Sequence, residues 1–244
     1  MLELSNDQHA ETLLIDIGNT RIKYAKSLPN AQLKVATTDN VESVLQNNLT
    51  IKKVIMGSVK GNELTQKTVQ QCQSLGIQLV NVQTESQRFG IQCAYKDFHN
   101  LGVDRWLAVL AARLHTELPV AIIDAGTAMT CDLVVGKKHV GGWIAPGFTM
   151  MRDAVTTKTD KVFGNQKRPN QLLLGDTTED CVNFGCMAML QGMLTSAQKI
   201  LESHASDYRI YVCGGDQDLI EYNENEKIQL KRDLVLEGLA RYAD

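Results

Sequence analysis

The sequence predicts an α/β protein built from two related halves. Three observations carry this reading. A short apolar strand running into an Asp and a Gly/Thr turn occurs at Asp16 and again at Asp124. Strand-like runs alternate with amphipathic helical segments along the chain. The composition, 43% hydrophobic and 22% charged over 244 residues, is that of an ordinary folded protein and excludes disordered, collagen-like and coiled-coil chains.

Taken in order, Thr12 to Ile17 is an apolar β-prone run that ends in Asp-Ile-Gly-Asn-Thr, and Arg21 to Lys26 alternates apolar with polar residues, giving strand, turn and strand. Val41 to Leu49 reads as a short helix, Lys53 to Gly57 as a buried strand, Asn62 to Leu75 as a helix closed by Gly76, and Ile77 to Val82 as a strand. Asp104 to His115 places Trp106, Leu107, Leu110, Ala111 and Leu114 at helical spacing, so Gly102 to Arg105 should lie at that helix's N-terminal end. Val120 to Ile123 then reopens the first pattern, which sets a boundary near residues 114 to 119 and two domains, 1–116 and 117–244. In the second, Val140 to Ile144 reads as a strand, Phe148 to Val155 as a helix, Thr156 to Asn170 as a polar loop, and Asp180 to Leu201 as a long helix carrying Gly185 and Gly192. Arg209 to Cys213 is a strand leading into Gly214-Gly215-Asp216, and Asp233 to Tyr242 is an amphipathic helix.

Lys and Arg number 25 against 28 Asp and Glu, a net charge of −3, and no basic run exceeds two residues, which disfavours nucleic-acid or anionic-membrane partners. No apolar stretch approaches the roughly 18 residues that would span a bilayer. Six cysteines without metal-ligand spacing read as reduced thiols of a cytoplasmic protein. The five histidines show no paired spacing and are expected to be ordinary surface or core residues.

The turn after Asp16 joins a strand-end carboxylate, a glycine that lets backbone N–H groups approach an anion, and the polar Asn19 and Thr20, with Lys23 nearby. A carboxylate beside phosphate calls for an intervening cation, so the set points to Mg²⁺ at Asp16, bound through water. An ordinary hairpin turn uses the same residue types. Asp124, Gly126, Thr127 and Thr130 repeat the set, and paired turns of this kind suit a triphosphate gripped from two sides. Neither a GxxxxGK[ST] loop nor a GxGxxG fingerprint is present. Asp104 and Arg105 at a helix start could be a general base and a cation, or merely charges placed near a helix dipole.

Duplicated Asp-x-Gly turns on strands mark the actin, hexokinase and sugar kinase superfamily. Within it, Asp16-Ile-Gly-Asn-Thr-Arg-Ile-Lys23, Leu101-Gly-Val-Asp-Arg-Trp106, Asp124-Ala-Gly-Thr-Ala128, Gly141-Gly-Trp-Ile-Ala-Pro-Gly147 and Asp233-Leu-Val-Leu-Glu-Gly-Leu239 resemble the type III pantothenate kinases, in the same order from about residue 12 to 240. The resemblance implies two actin-like, ribonuclease H-like domains with mixed five-stranded sheets flanked by helices and ATP in the cleft between them. It also implies ATP-dependent phosphorylation of pantothenate to 4'-phosphopantothenate, the first step of coenzyme A synthesis, by a cytoplasmic homodimer using Mg²⁺ and a monovalent cation, K⁺ or NH₄⁺. Position by position, Asp16, Ile17, Gly18, Asn19, Thr20, Arg21, Ile22 and Lys23 match the first ATP-phosphate loop, Thr127 an ATP contact in the second, and Asp124 the K⁺ ligand. Tyr95, Gly102, Val103, Asp104, Arg105 and Thr178 match the pantothenate contacts, with Asp104 the proton acceptor. The sequence departs from the family pattern at Phe98, usually Pro, and at Thr177, usually Asn. Two rival expectations stand beside this one: a related kinase with another small substrate, and a catalytically silent, nucleotide-gated regulator.

Overall fold

A computed structural model describes residues 12–27, 31–48, 50–59, 62–157, 167–222 and 225–243. The chain forms two compact units, the first from described residues within Met1–Phe89, Tyr95–Ala111 and Asp233–Asp244, the second from Gly90–Ala94 and Ala112–Arg232.

In the first unit, strands β1 (Thr12–Ile17), β2 (Ile22–Ser27), β3 (Ala36–Thr38), β4 (Lys53–Ser58) and β5 (Gln78–Asn81) form a sheet in the order β3-β2-β1-β4-β5. β2 runs antiparallel to β1 and β3, whereas β4 runs parallel to β1 and β5. β1 is apolar at nearly every position because both sheet faces are covered. Leu13, Ile15 and Ile17 join Val41, Leu45 and Cys72 on one side; Leu14 joins Ile55, Leu107, Leu236 and Leu239 on the other. Helix α1 (Val41–Gln46) starts where the Asn40 side chain accepts from the Glu42 N–H at 2.9 Å, and it ends before the expected Leu49, which lies outside the described residues. Helices α2 (Asn62–Ser74) and α3 (Val103–His115) follow the sequence reading within one residue at each end.

The second unit repeats the arrangement. Strands β8 (Val120–Ala125), β9 (Ala128–Val135), β10 (Lys138–Pro146), β11 (Arg209–Cys213) and β12 (Ile228–Leu230) stand in the order β10-β9-β8-β11-β12, with the same parallel and antiparallel pairings as β3-β2-β1-β4-β5. The sheet is extended beyond the expected five strands at the β10 edge by β7 (Ile91–Gln92) and then β6 (Gln87–Arg88), each of two residues, β6 coming from the segment Met1–Phe89 of the first unit. The duplicated sequence pattern is thus a duplicated topology. Helices α4 (Phe148–Thr157) and α5 (Thr178–His204) pack beside this sheet, burying Phe148, Met187, Leu190 and Leu194 against Ile123, Cys131 and Val212.

One expectation needs correction here. Thr156 and Thr157 belong to α4 rather than to the expected loop, their hydroxyls donating to the Arg152 and Asp153 carbonyls one turn earlier; residues 158–166 of that loop lie outside the described residues. Gly185 and Gly192 are exposed on α5, and beyond the helix's own backbone no described atom lies within 4 Å of where a Cβ would stand.

His139 is buried, its Nδ1 accepting from the Ala94 N–H and its Nε2 donating to Asp132 at 2.8 Å, a satisfied core pair as its unpaired spacing suggested. None of the six cysteines forms a disulfide.

Helix α6 (Leu234–Ala240) follows β12 in the chain yet packs in the first unit, where Leu236 and Leu239 complete the core with Leu14, Ile55 and Leu107. Gly238 lies against α3 so closely that a Cβ would stand 2.3 Å from the Leu107 carbonyl oxygen. Beyond α6, Tyr242 donates to Glu85 at 2.7 Å and its ring meets Phe89 edge-on, while Arg88 and Arg241 lie over the Phe89 ring.

Candidate active site

In the first unit the expected phosphate loop is the β1–β2 hairpin. Asp16 pairs with Lys23 across the hairpin and with Gly57 on β4. The Gly18 N–H closes the turn on the Arg21 carbonyl at 3.1 Å. Asn19, Thr20 and Arg21 are exposed at the tip, whereas the Ile17 and Ile22 side chains are buried and leave only backbone groups for a ligand. Asp16 is 9% exposed at the strand end. Lys23 also lies 3.9 Å from Asp233 at the start of α6, so its charge is shared between the hairpin and that carboxylate.

The second group of residues stands at the N-terminus of α3. The Asp104 carboxylate accepts from the Arg105 N–H at 2.8 Å and occupies the space beside Gly102, where a Cβ would come within 2.6 Å of it. Arg105, 6% exposed, donates to the Tyr95 hydroxyl at 3.1 Å. Val103 turns its side chain into the core with Leu107 and Leu236, so it can serve a substrate only through its backbone. The Asp16 and Asp104 elements are packed together: Gly57, the partner of Asp16 on β4, lies under the Leu107 side chain one turn along α3 from Asp104. Phe98 begins a short 3₁₀ turn, Phe98–Asn100, capped by the Asp97 carboxylate on the His99 N–H.

Beside this helix start lies a depression of about 260 Å³ lined by Ser58, Thr84, His99, Asn100, Gly102 and Val103 among others. Ser58, Thr84 and Asn100 were not singled out in the sequence, and His99 was expected to be an ordinary surface or core residue. They belong to no motif and converge only because the end of β4, the segment after β5 and the turn before α3 meet in the fold.

In the second unit, Asp124 stands at the end of β8, opposite Thr130 on β9 and Cys213 on β11. Thr127 is exposed at the turn, which the Gly126 N–H closes on the Ala128 carbonyl at 3.1 Å. The third glycine turn folds onto this one. The Asp216 N–H donates to the Ala125 carbonyl at 2.8 Å, and Gly214, at φ +96°, lies where a Cβ would come within 2.2 Å of the Ala125 oxygen and 2.4 Å of the Asp124 carboxylate. Only a residue without a side chain lets the backbone pack this closely against the Ala125 carbonyl and the Asp124 carboxylate. Arg168 bridges Asp216 and Asp218, and the Asp216 hydrogen bond pushes its pKa up. Thr178 is the first, exposed residue of α5; Thr177 before it caps the helix, its hydroxyl accepting from the Asp180 N–H, a role that the family's Asn would also fill.

Nothing in the site calls for a thiolate: burial pushes the Cys72 and Cys186 thiols up, away from nucleophilic ionisation. The residues fit phosphoryl transfer, with an acidic strand end, exposed turn donors and a carboxylate at a helix start.

Comparison with known proteins agrees with this chemistry. The family profile described as type III pantothenate kinase matches residues 12–199. A type III pantothenate kinase of Pseudoalteromonas atlantica is 38% identical, covering 96% of this chain and 98% of its own length. The chain belongs to the type III pantothenate kinases. One from Pseudoalteromonas translucida is 32% identical over 93% of this chain and 94% of its own. Among solved structures, a conserved candidate Baf family transcriptional activator from Campylobacter jejuni superposes with TM-score 0.61 at 21% identity, covering 94% of this chain and 96% of that one. A candidate N-acetylmannosamine kinase from Listeria monocytogenes gives 0.51 at 12%, covering 95% and 97%. These structures show the fold, which is actin-like in both units. As a type III pantothenate kinase the protein transfers phosphate from ATP, with a divalent metal, to pantothenate in coenzyme A biosynthesis.

Proposed function

We propose that Asp104 is the general base of this pantothenate kinase and that Gly102, Val103, Arg105, Tyr95 and Thr178 contact pantothenate. The placement of the Asp104 carboxylate at the start of α3, against the open side of Gly102, carries this reading. The pantothenate primary alcohol is a poor nucleophile. As its oxygen bonds to the γ-phosphorus of ATP and the bond to the bridging oxygen of ADP breaks, its proton passes to the Asp104 carboxylate. The loose transition state spreads charge over the phosphoryl oxygens, so positioning and cations supply most of the rate. Arg105, held by Tyr95, provides one such positive charge near the base.

The Asp16–Lys23 hairpin and Thr127 bind ATP in this reading, Gly18 to Arg21 through exposed turn groups and Ile17 and Ile22 through their backbone. Asp16 alone supplies one carboxylate, which suits Mg²⁺ held through water and phosphate rather than by a protein cage. That ion would neutralise charge on the phosphates when bound. The Asp124 carboxylate at the end of β8, with oxygen donors of the hardness such ions prefer, is the ligand for a monovalent cation, K⁺ or NH₄⁺. The exposed face of α5 around Gly185 and Gly192 serves as a homodimer interface, and the reaction runs in the cytoplasm without nucleic acid or membrane; among the described residues no helix is long and apolar enough to cross a bilayer.

The test is ADP release from MgATP with and without pantothenate, in K⁺ and again in Na⁺, with phosphopantothenate identified by mass. Asp104→Asn should keep ATP binding and lower turnover by roughly 10² to 10⁴. Near-normal turnover in that variant moves the base elsewhere, and a stable monomer in light scattering refutes the α5 interface.

A further inference from the structure

The segment that carries Asp104 is held by a residue with no place in any motif. Thr84 is 6% exposed, and its hydroxyl donates to the Leu101 carbonyl at 2.7 Å. Val82, two residues earlier, is tied to the sheet by its own N–H, which donates to the Met56 carbonyl on β4 at 2.8 Å. Thr84 therefore extends the hold of the sheet to the turn before α3, bridging seventeen positions of sequence. From the far side of that turn, the Leu101 N–H closes on the Phe98 carbonyl and the Trp106 N–H on the Gly102 carbonyl.

The peptide between Leu101 and Gly102 is planar, so fixing its carbonyl also fixes the direction of the Gly102 N–H on the opposite side. That N–H and the Asp104 carboxylate stand on the same short segment. A buried carbonyl that loses its donor will turn to find another, and the plane turns with it. Thr84 and Gly102 both line the depression beside α3, so the hydrogen bond lies in the wall of the cavity that the segment borders.

We propose that Thr84 is a positioning residue for the pantothenate-contacting segment Gly102–Arg105, acting through the Leu101 carbonyl. The proposal rests on the reading that this segment contacts pantothenate. Hydroxyl loss should act on the alcohol substrate and on the rate, and leave ATP alone, because the phosphate hairpin is a separate turn.

The experiment compares Thr84→Val, equal in shape without the donor, with Thr84→Ser, which keeps it. Steady-state kinetics against pantothenate and against MgATP are run at a temperature at which thermal melts show each variant folded. Thr84→Val should lower kcat/KM for pantothenate about tenfold, within the range that slight misplacement of a substrate-positioning segment causes, with KM for ATP within about twofold of wild type. Thr84→Ser should recover most of the loss. Thr84→Ala serves in place of Thr84→Val if the latter does not fold. Wild-type kinetics in the hydroxyl-free variant, an equal defect toward both substrates, or a Ser variant as impaired as the Val variant would each overturn the proposal. An Arg105→Ala variant whose pantothenate KM equals that of wild type would instead overturn the reading beneath it.

Discussion

The contact between Gly238 on α6 and the backbone of α3 gives the sharpest stability prediction. A Cβ at Gly238 would stand 2.3, 2.7 and 2.9 Å from the carbonyl oxygen, carbonyl carbon and Cα of Leu107. The first distance falls about 0.7 Å short of the 3.0 Å below which Cβ atoms essentially never approach. Helix backbone does not swing aside like a side chain, so in Gly238→Ala the whole of α6 must lift, loosening Leu236 and Leu239 over Leu14 and Leu107. Overpacking costs about 1–3 kcal/mol and sometimes more, and contact with rigid backbone puts this case at about 2–3 kcal/mol, from which the better helix propensity of Ala returns about 1 kcal/mol. A net loss of about 1–2 kcal/mol lowers the melting temperature by about 2–8 °C in a protein of this size. Thermal unfolding followed by circular dichroism measures it. A melting temperature equal to or above wild type would refute the reasoning, since only the gain in propensity would then remain.

Gly214→Ala places a side chain at φ +96° and drives it into the Ala125 carbonyl and the Asp124 carboxylate, displacing the proposed cation ligand; its rate ratio between K⁺ and Na⁺ buffers should fall toward one, and an unchanged ratio would remove the cation from Asp124. Burial, and then the hydrogen bond to Glu85, raise the Tyr242 phenol above its ordinary pKa. The unfolded chain therefore loses this proton first, and the stability the phenol contributes is present below about pH 10 and lost above it. Tyr242→Phe should be less stable than wild type at pH 8, and urea unfolding at pH 8 and 10.5 should find the gap narrowing; a gap that widens is the contrary result.

Much of this architecture is legible in the sequence because burial on both faces leaves a plain mark. The run Thr12 to Ile17 and the run Val120 to Ile123 have no polar face to lose, and each ends in a turn whose Asp and Gly stand out. β12 spans three residues, and β6 and β7 two each, too few for any periodicity to register. The amphipathic stripe of α6 announces a buried helix without saying which sheet it covers. The carboxylates and exposed turn residues proposed for the site belong to motifs, so sequence alone can point to them. Thr84 was not, because a hydroxyl that works by holding a carbonyl seventeen positions away carries no local pattern.

The return of α6 to the first unit has a consequence for how the protein is made. Leu14, Ile55 and Leu107 have their apolar cover supplied by Leu236 and Leu239. Between Ala111 and Leu234 about 120 residues must leave the ribosome, roughly 6–25 s at 5–20 residues per second. Through that interval the earlier half carries an open greasy face, and the later half gains its last strand, β12, only just before α6. The nascent chain should therefore lean on chaperones early and mature last where synthesis began, because the first unit closes only once α6 has emerged.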